Sequence, residues 1–82
     1  MGKIVILTGS PKSAGFSTKA VFMSEFSKFG FEEGSTLNAT CELLITNDLA
    51  SVTSKMEKAK KLGVEIMTYE ELKEVYDLQG DM

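Results

Sequence analysis

Apolar and polar positions along this chain fall into two periodicities. Residues 4–7, Ile-Val-Ile-Leu, are apolar without alternation, which predicts a strand covered on both faces, as in the middle of a parallel sheet. The run stops at Thr8-Gly9-Ser10-Pro11, where a glycine free to take positive φ and a proline that cannot extend a ladder predict a turn. A small-residue loop over 12–15 follows, with Ser17 as the expected N-cap of a helix. Phe22, Phe26 and Phe29 recur there at i, i+4 and i+7, one apolar stripe, and Gly30 closes the helix in a left-handed cap. Residues 31–37 read as a short, weak edge strand, 38–40 as a turn, and 41–46 as a second strand of the buried type. A loop over 47–52 leads to Ser54 and Glu57, spaced as a capping box, and to a helix with Met56, Ala59 and Leu62 inward and Gly63 at its end. Residues 64–67 form the last strand. Thr68 and Glu71 repeat the capping-box spacing, and a final helix over about 69–78 turns Leu72, Val75 and Tyr76 inward. Residues 79–82 are expected to fray.

The order βαββαβα, without repeat or linker, predicts one α/β domain over residues 1–79 and a frayed tail over 80–82. With 82 residues the chain can bury a core of modest stability. No apolar run approaches membrane-spanning length, and the start lacks a signal-peptide pattern. The single cysteine, Cys41, has no partner for an internal disulfide and reads as a packed residue; with no histidine there is no plausible zinc site. These features point to a reducing intracellular compartment: the cytoplasm, with nucleoid association in a bacterium or phage, or the nucleus in a eukaryote.

Net charge is −3, and every base is lysine, which argues against a strong non-specific nucleic-acid binder. The charge is unevenly spread. Residues 1–24 hold three lysines and no acid, whereas 65–82 hold six acids against Lys73. Such a molecule can offer a local anion site while repelling phosphate elsewhere. No nucleophile–base pair, metal cluster or Walker-type loop is present, so neither catalysis, a metal nor a cofactor is expected. In open α/β sheets, ligands bind at the carboxyl ends of the strands, which makes the turn after the first strand the first place to look for function.

Two resemblances bear on that turn. Ile-Leu-Thr-Gly-Ser-Pro-Lys-Ser-Ala-Gly, residues 6–15, resembles the Gly-Ser-Pro-Arg loop of flavodoxin-like flavin reductases, which cradles the flavin phosphate; that fold needs five parallel strands, and four are predicted here. A truncated flavin-binding protein is the remote alternative. The second resemblance spans nearly the whole chain. A buried strand ends in Thr8-Gly9, and Lys19 stands eleven positions before Gly30. A strand containing Cys41-Glu42-Leu43-Leu44-Ile45 follows, and residues 54–63 match a Ser-Lys-x-x-x-Ala-x-x-x-Gly helix before Gly-Val-Glu-Ile-Met-Thr-Tyr-Glu-Glu-Leu. This pattern resembles the BRCT domain, and most closely the versions in bacterial NAD-dependent DNA ligases and the replication factor C large subunit. Three positions depart from it: Phe31 replaces a second glycine, Lys19 an arginine, and Leu72 the tryptophan of many eukaryotic members.

The resemblance implies a four-stranded parallel sheet of order 2-1-3-4, with the first and third helices on one face and the second on the other. It also implies a phosphate site made of Thr8, Gly9 and Lys55, with Lys19 adding a contact as in replication factor C-like members. Ser10 joins the set from its place in the turn alone. One or two hydroxyls, a backbone N–H, two ammonium groups and a helix N-terminus suit a phosphate dianion. The expectation is thus a non-catalytic binding module of DNA replication or repair. It would recognise the 5′ phosphate of a DNA end or nick, weakly and with salt sensitivity, or dock to a ligase-like partner. A phosphopeptide or plain protein–protein interaction module is the alternative.

Overall fold

The computed structural model of the protein describes residues 3–50 and 53–81. Four strands, β1 (Lys3–Leu7), β2 (Phe31–Glu33), β3 (Leu43–Thr46) and β4 (Glu65–Thr68), form one all-parallel sheet in the order β2-β1-β3-β4. The helices are α1 (Lys19–Phe26), α2 (Ser54–Leu62) and α3 (Tyr69–Val75). β1 is a central strand, as its unbroken apolar run predicts: Val5, Ile6 and Leu7 are buried, and Val5 and Leu7 stand opposite Leu43 and Ile45 of β3. The edge strand β2 is short and carries Glu32 and Glu33, both exposed.

Alternation along β1 and β3 divides the core in two. Val5, Leu7, Leu43 and Ile45 point to one face, where Phe22 and Phe26 of α1 and Tyr69 and Leu72 of α3 cover them. Ile6 and Leu44 point to the other, under Met56 and Ala59 of α2, with Leu37 and Cys41 from the β2–β3 connection. Aromatic rings knit the first face together. Phe22 meets Phe16 and Tyr69 edge-on at 5.2 and 4.9 Å, and Phe26 stacks on Phe31 at 4.1 Å. Such pairs add ~0.5–1.5 kcal/mol each to the burial itself. Phe22 and Phe26, the phenylalanines of α1, are therefore core.

Several local expectations are corrected. Thr18, not Ser17, caps α1, its Oγ1 accepting from the Val21 N–H; Thr53, one residue before Ser54, caps α2 by accepting from Met56 N–H. Thr68 caps α3 as its spacing predicted, accepting from Glu71 N–H at 3.1 Å. The helix after β4 stops at Val75, which is exposed, while Leu72 is buried and Tyr76 half-buried. Phe29 lies in a 3-10 turn, Ser27–Phe29, and is exposed. The loop after Ser10 is itself a 3-10 turn, Pro11–Ala14, ended by Gly15. The tail is tied down as far as Asp81: Leu78 is buried, and the Asp81 carboxylate accepts from the Ser17 N–H at 2.7 Å and from its hydroxyl. Met82, the last residue of the expected frayed segment, lies outside the described residues, as do 51 and 52 of the predicted loop. Among the described residues no helix is long and apolar enough to cross a membrane.

Candidate anion site at the carboxyl edge of the sheet

Because the sheet is parallel, every crossover helix starts near the carboxyl ends of the strands. The Thr8-Gly9-Ser10 turn leaves β1 there. The loop from β3 to α2 begins there too, one strand over, and delivers Lys55 in the first turn of α2. Lys19, first residue of α1, is at the same end but on the opposite face of the sheet from α2. The two lysines thus open helices on opposite faces of the sheet, and both are exposed.

The turn is fixed by bonds to its neighbours. Thr8 N–H donates to the Ile45 carbonyl at 2.8 Å, and the Thr8 hydroxyl donates to the same carbonyl at 3.1 Å. The Thr8 carbonyl accepts the Tyr69 hydroxyl at 2.9 Å, so β1, β3 and α3 meet at this residue. Burial, with a smaller contribution from the charge of Glu33, pushes the Tyr69 hydroxyl well above its ordinary pKa, which keeps it a donor. Gly9 adopts φ +67°, and the Asn47 side chain presses against it where a Cβ would project. The turn after β1 and the loop after β3 are therefore in contact. That loop is shaped by side chains: Thr46 Oγ1 accepts from Asp48 N–H at 3.4 Å, and Asp48 Oδ1 from Ala50 N–H at 2.9 Å.

These bonds sort the predicted ligands. Thr8 is engaged: its proton is committed to Ile45, and it must rotate away to donate to an anion. Ser10 Oγ accepts from Lys12 N–H at 3.3 Å and keeps its own proton free to donate. Among the described residues the Gly9 and Ser10 amides donate to no backbone carbonyl, leaving two exposed N–H groups in the turn. Lys19 and Lys55 form no ion pair among the described residues. The donors at this end of the sheet are thus the Gly9 and Ser10 amides, the Ser10 hydroxyl and two exposed lysines, groups of the kind that bind oxyanions.

Two residues of this edge escaped sequence reasoning. Asn47 shares the space beside Gly9, and its amide can donate to whatever the turn holds; nothing in a loop residue's type signals that placement. Asp81 brings a carboxylate to Ser17, two residues before Lys19, and its pKa is lowered chiefly by the hydroxyl and amide of Ser17. An open groove of about 740 Å³ lies elsewhere, between the Pro11–Ala14 turn and α3, lined by Lys12, Glu70, Lys73, Glu74 and Asp77 among others, and by none of the five predicted ligands. Three carboxylates make it a poor place for phosphate. No protein-family model matches the chain, and no curated protein matches it.

Proposed function

We propose that this protein is a non-catalytic, BRCT-type binding module that takes a single phosphate at the carboxyl edge of its sheet, on the 5′ phosphate of a DNA end or nick. One observation carries the reading. The turn after β1 and the start of the loop after β3 abut at Gly9 and Asn47, so two free turn amides and the Ser10 hydroxyl lie at the end of the sheet from which the chain runs on to α2 and Lys55. Backbone N–H groups and a helix N-terminus favour an anion, and ammonium groups supply the charge that a dianion needs. The sheet order and the division of the helices between its faces agree with the fold that the resemblance implies. Association with a ligase-like partner follows from the match of residues 54–63 to the ligase pattern, and a reducing intracellular setting from the lone, buried Cys41.

The test is a titration of a duplex with a recessed 5′ phosphate against its dephosphorylated twin, read by fluorescence anisotropy at low salt. The phosphorylated duplex is expected to bind more tightly, and Lys55→Glu to erase most of the difference, about tenfold or more for the loss of one charge-assisted contact. Equal affinities for the two duplexes, or indifference to Lys55→Glu, would remove the DNA-end reading. Binding of a phosphoserine peptide but of neither duplex would move the site to the phosphopeptide class.

A further inference from the structure

We propose that the protein assembles head to tail with further copies of itself, the lysine-bearing side of α2 on one molecule seating along the acidic flank of α3 on the next. The two surfaces carry opposite charge and lie on opposite faces of the sheet, so they cannot satisfy one another within one molecule.

On α2, Lys55, Lys58, Lys60 and Lys61 are all exposed, against a single acid, Glu57. Among the described residues the one salt bridge is Lys28 to Glu25, so none of these four lysines is paired. On the other face, Glu70 and Glu74 stand one turn apart on α3, with Asp77 following, along the open groove beside the Pro11–Ala14 turn. The groove's two lysines differ in availability. Lys73 is occupied, its Nζ donating to the Ala14 carbonyl at 2.9 Å and lying 5.9 Å from the centre of the Phe16 ring. Lys12 and Lys73 set two ammonium charges against the three carboxylates, which leaves the groove net negative by one charge, with only Lys12 free to turn toward them.

The two stripes are also comparable in length. Lys55, Lys58 and Lys61 rise about 9 Å along α2, and Glu70 and Glu74 about 6 Å along α3, with Asp77 just beyond the end of that helix. A helix laid against that flank can therefore put three ammonium groups opposite three carboxylates. Because donor and acceptor surfaces differ, each contact leaves one face of either kind free, and the assembly is an open chain rather than a closed pair. The contacts are solvent-exposed, so the association is weak and strongly screened by salt.

Sedimentation equilibrium from micromolar to millimolar protein tests this, at about 0.01 M and about 1 M salt, between which the screening length falls from ~30 to ~3 Å. At low salt the average mass is expected to climb with concentration past the dimer, and at high salt to return to the monomer. K58E/K61E and E70K/E74K are each expected to weaken self-association about tenfold, and an equimolar mixture of the two to restore it. K3E/K28E, which changes net charge as K58E/K61E does but lies off both surfaces, is expected to associate like the parent. A monomer at every concentration in low salt would overturn the proposal. So would a mass that levels off at the dimer, or K3E/K28E as damaging as K58E/K61E. None of these variants alters a predicted phosphate ligand; Lys55, which the α2 stripe and the anion site share, is left in place, so loss of self-association in them is distinguishable from loss of the anion site.

Discussion

Gly9 has room for a hydrogen and little else. Its φ of +67° disfavours any residue with a Cβ, and that Cβ would fall 2.1 Å from Asn47 Oδ1. Gly9→Ala is therefore expected to destabilise the fold by about 1–3 kcal/mol, measured from urea denaturation midpoints. The two causes separate in a double-mutant cycle. The backbone strain persists in any background, whereas the clash involves the end of an exposed side chain and should ease in Asn47→Ala. A coupling of about 0.5 kcal/mol or more between the positions is the expected result, and strict additivity would mean that Asn47 does not press on Gly9 in solution. Sequence reasoning could find Gly9, because a strand ending in Thr-Gly-Ser-Pro demands a turn. It could not find Asn47, because the end of a loop side chain is set by a neighbouring strand's register.

Among the elements, periodicity located every strand and helix, and failed where tertiary packing shifted a boundary by a residue or a turn. Thr53 and Ser54 are adjacent hydroxyls, and either could open α2; the Ser-x-x-Glu spacing favoured Ser54. The packing of Met56 and Ala59 against the sheet starts the helix one residue earlier, leaving Thr53 with the cap. Thr53→Ala is accordingly expected to cost about 1 kcal/mol in thermal or urea unfolding, and Ser54→Ala less than about 0.5 kcal/mol. The reverse order would return the cap to Ser54. Phe29 left the apolar stripe because the chain tightens after Phe26 into a 3-10 turn, and a stripe of period 3.6 does not survive a change to period 3.0. Val75 is exposed because Tyr69, Leu72 and Tyr76, at i, i+3 and i+7, already fill the arc of α3 that faces the sheet.

At the scale of the whole molecule, the unalternating runs marked β1 and β3 as buried strands, and the resemblance implied the sheet order and the placement of helices that the strand pairing and the two core faces bear out, whereas the course of the last residues was legible in neither. A short polar stretch ending in Gly-Asp carries no periodicity, and it is a distant partner, Ser17, that holds it. This contact makes a pH prediction. The Ser17 hydroxyl and amide bond the ionised carboxylate of Asp81 and lower its pKa, so the contact contributes fully above the ordinary carboxylate range and is lost as pH falls through the depressed value. The Ser17 amide proton shift and its exchange rate, followed by NMR from neutral pH downwards, should report release of the tail below that range. Asp81→Asn should show the released signal at every pH. An unchanged Ser17 signal throughout the acid titration would place the carboxylate elsewhere.

Gly80 packs so closely on Gly15 that a methyl group on Gly80 would lie 2.2 Å from the Gly15 carbonyl oxygen. The loop that follows the first strand is thus closed by a segment made about sixty-five residues after it. During synthesis, β1 leaves the ribosome before either of its sheet neighbours and waits exposed, and its loop is clasped only once residue 80 has emerged. A nascent or prematurely terminated copy would display that loop unfastened, a ready handle for proteases and chaperones that discriminate finished molecules from unfinished ones.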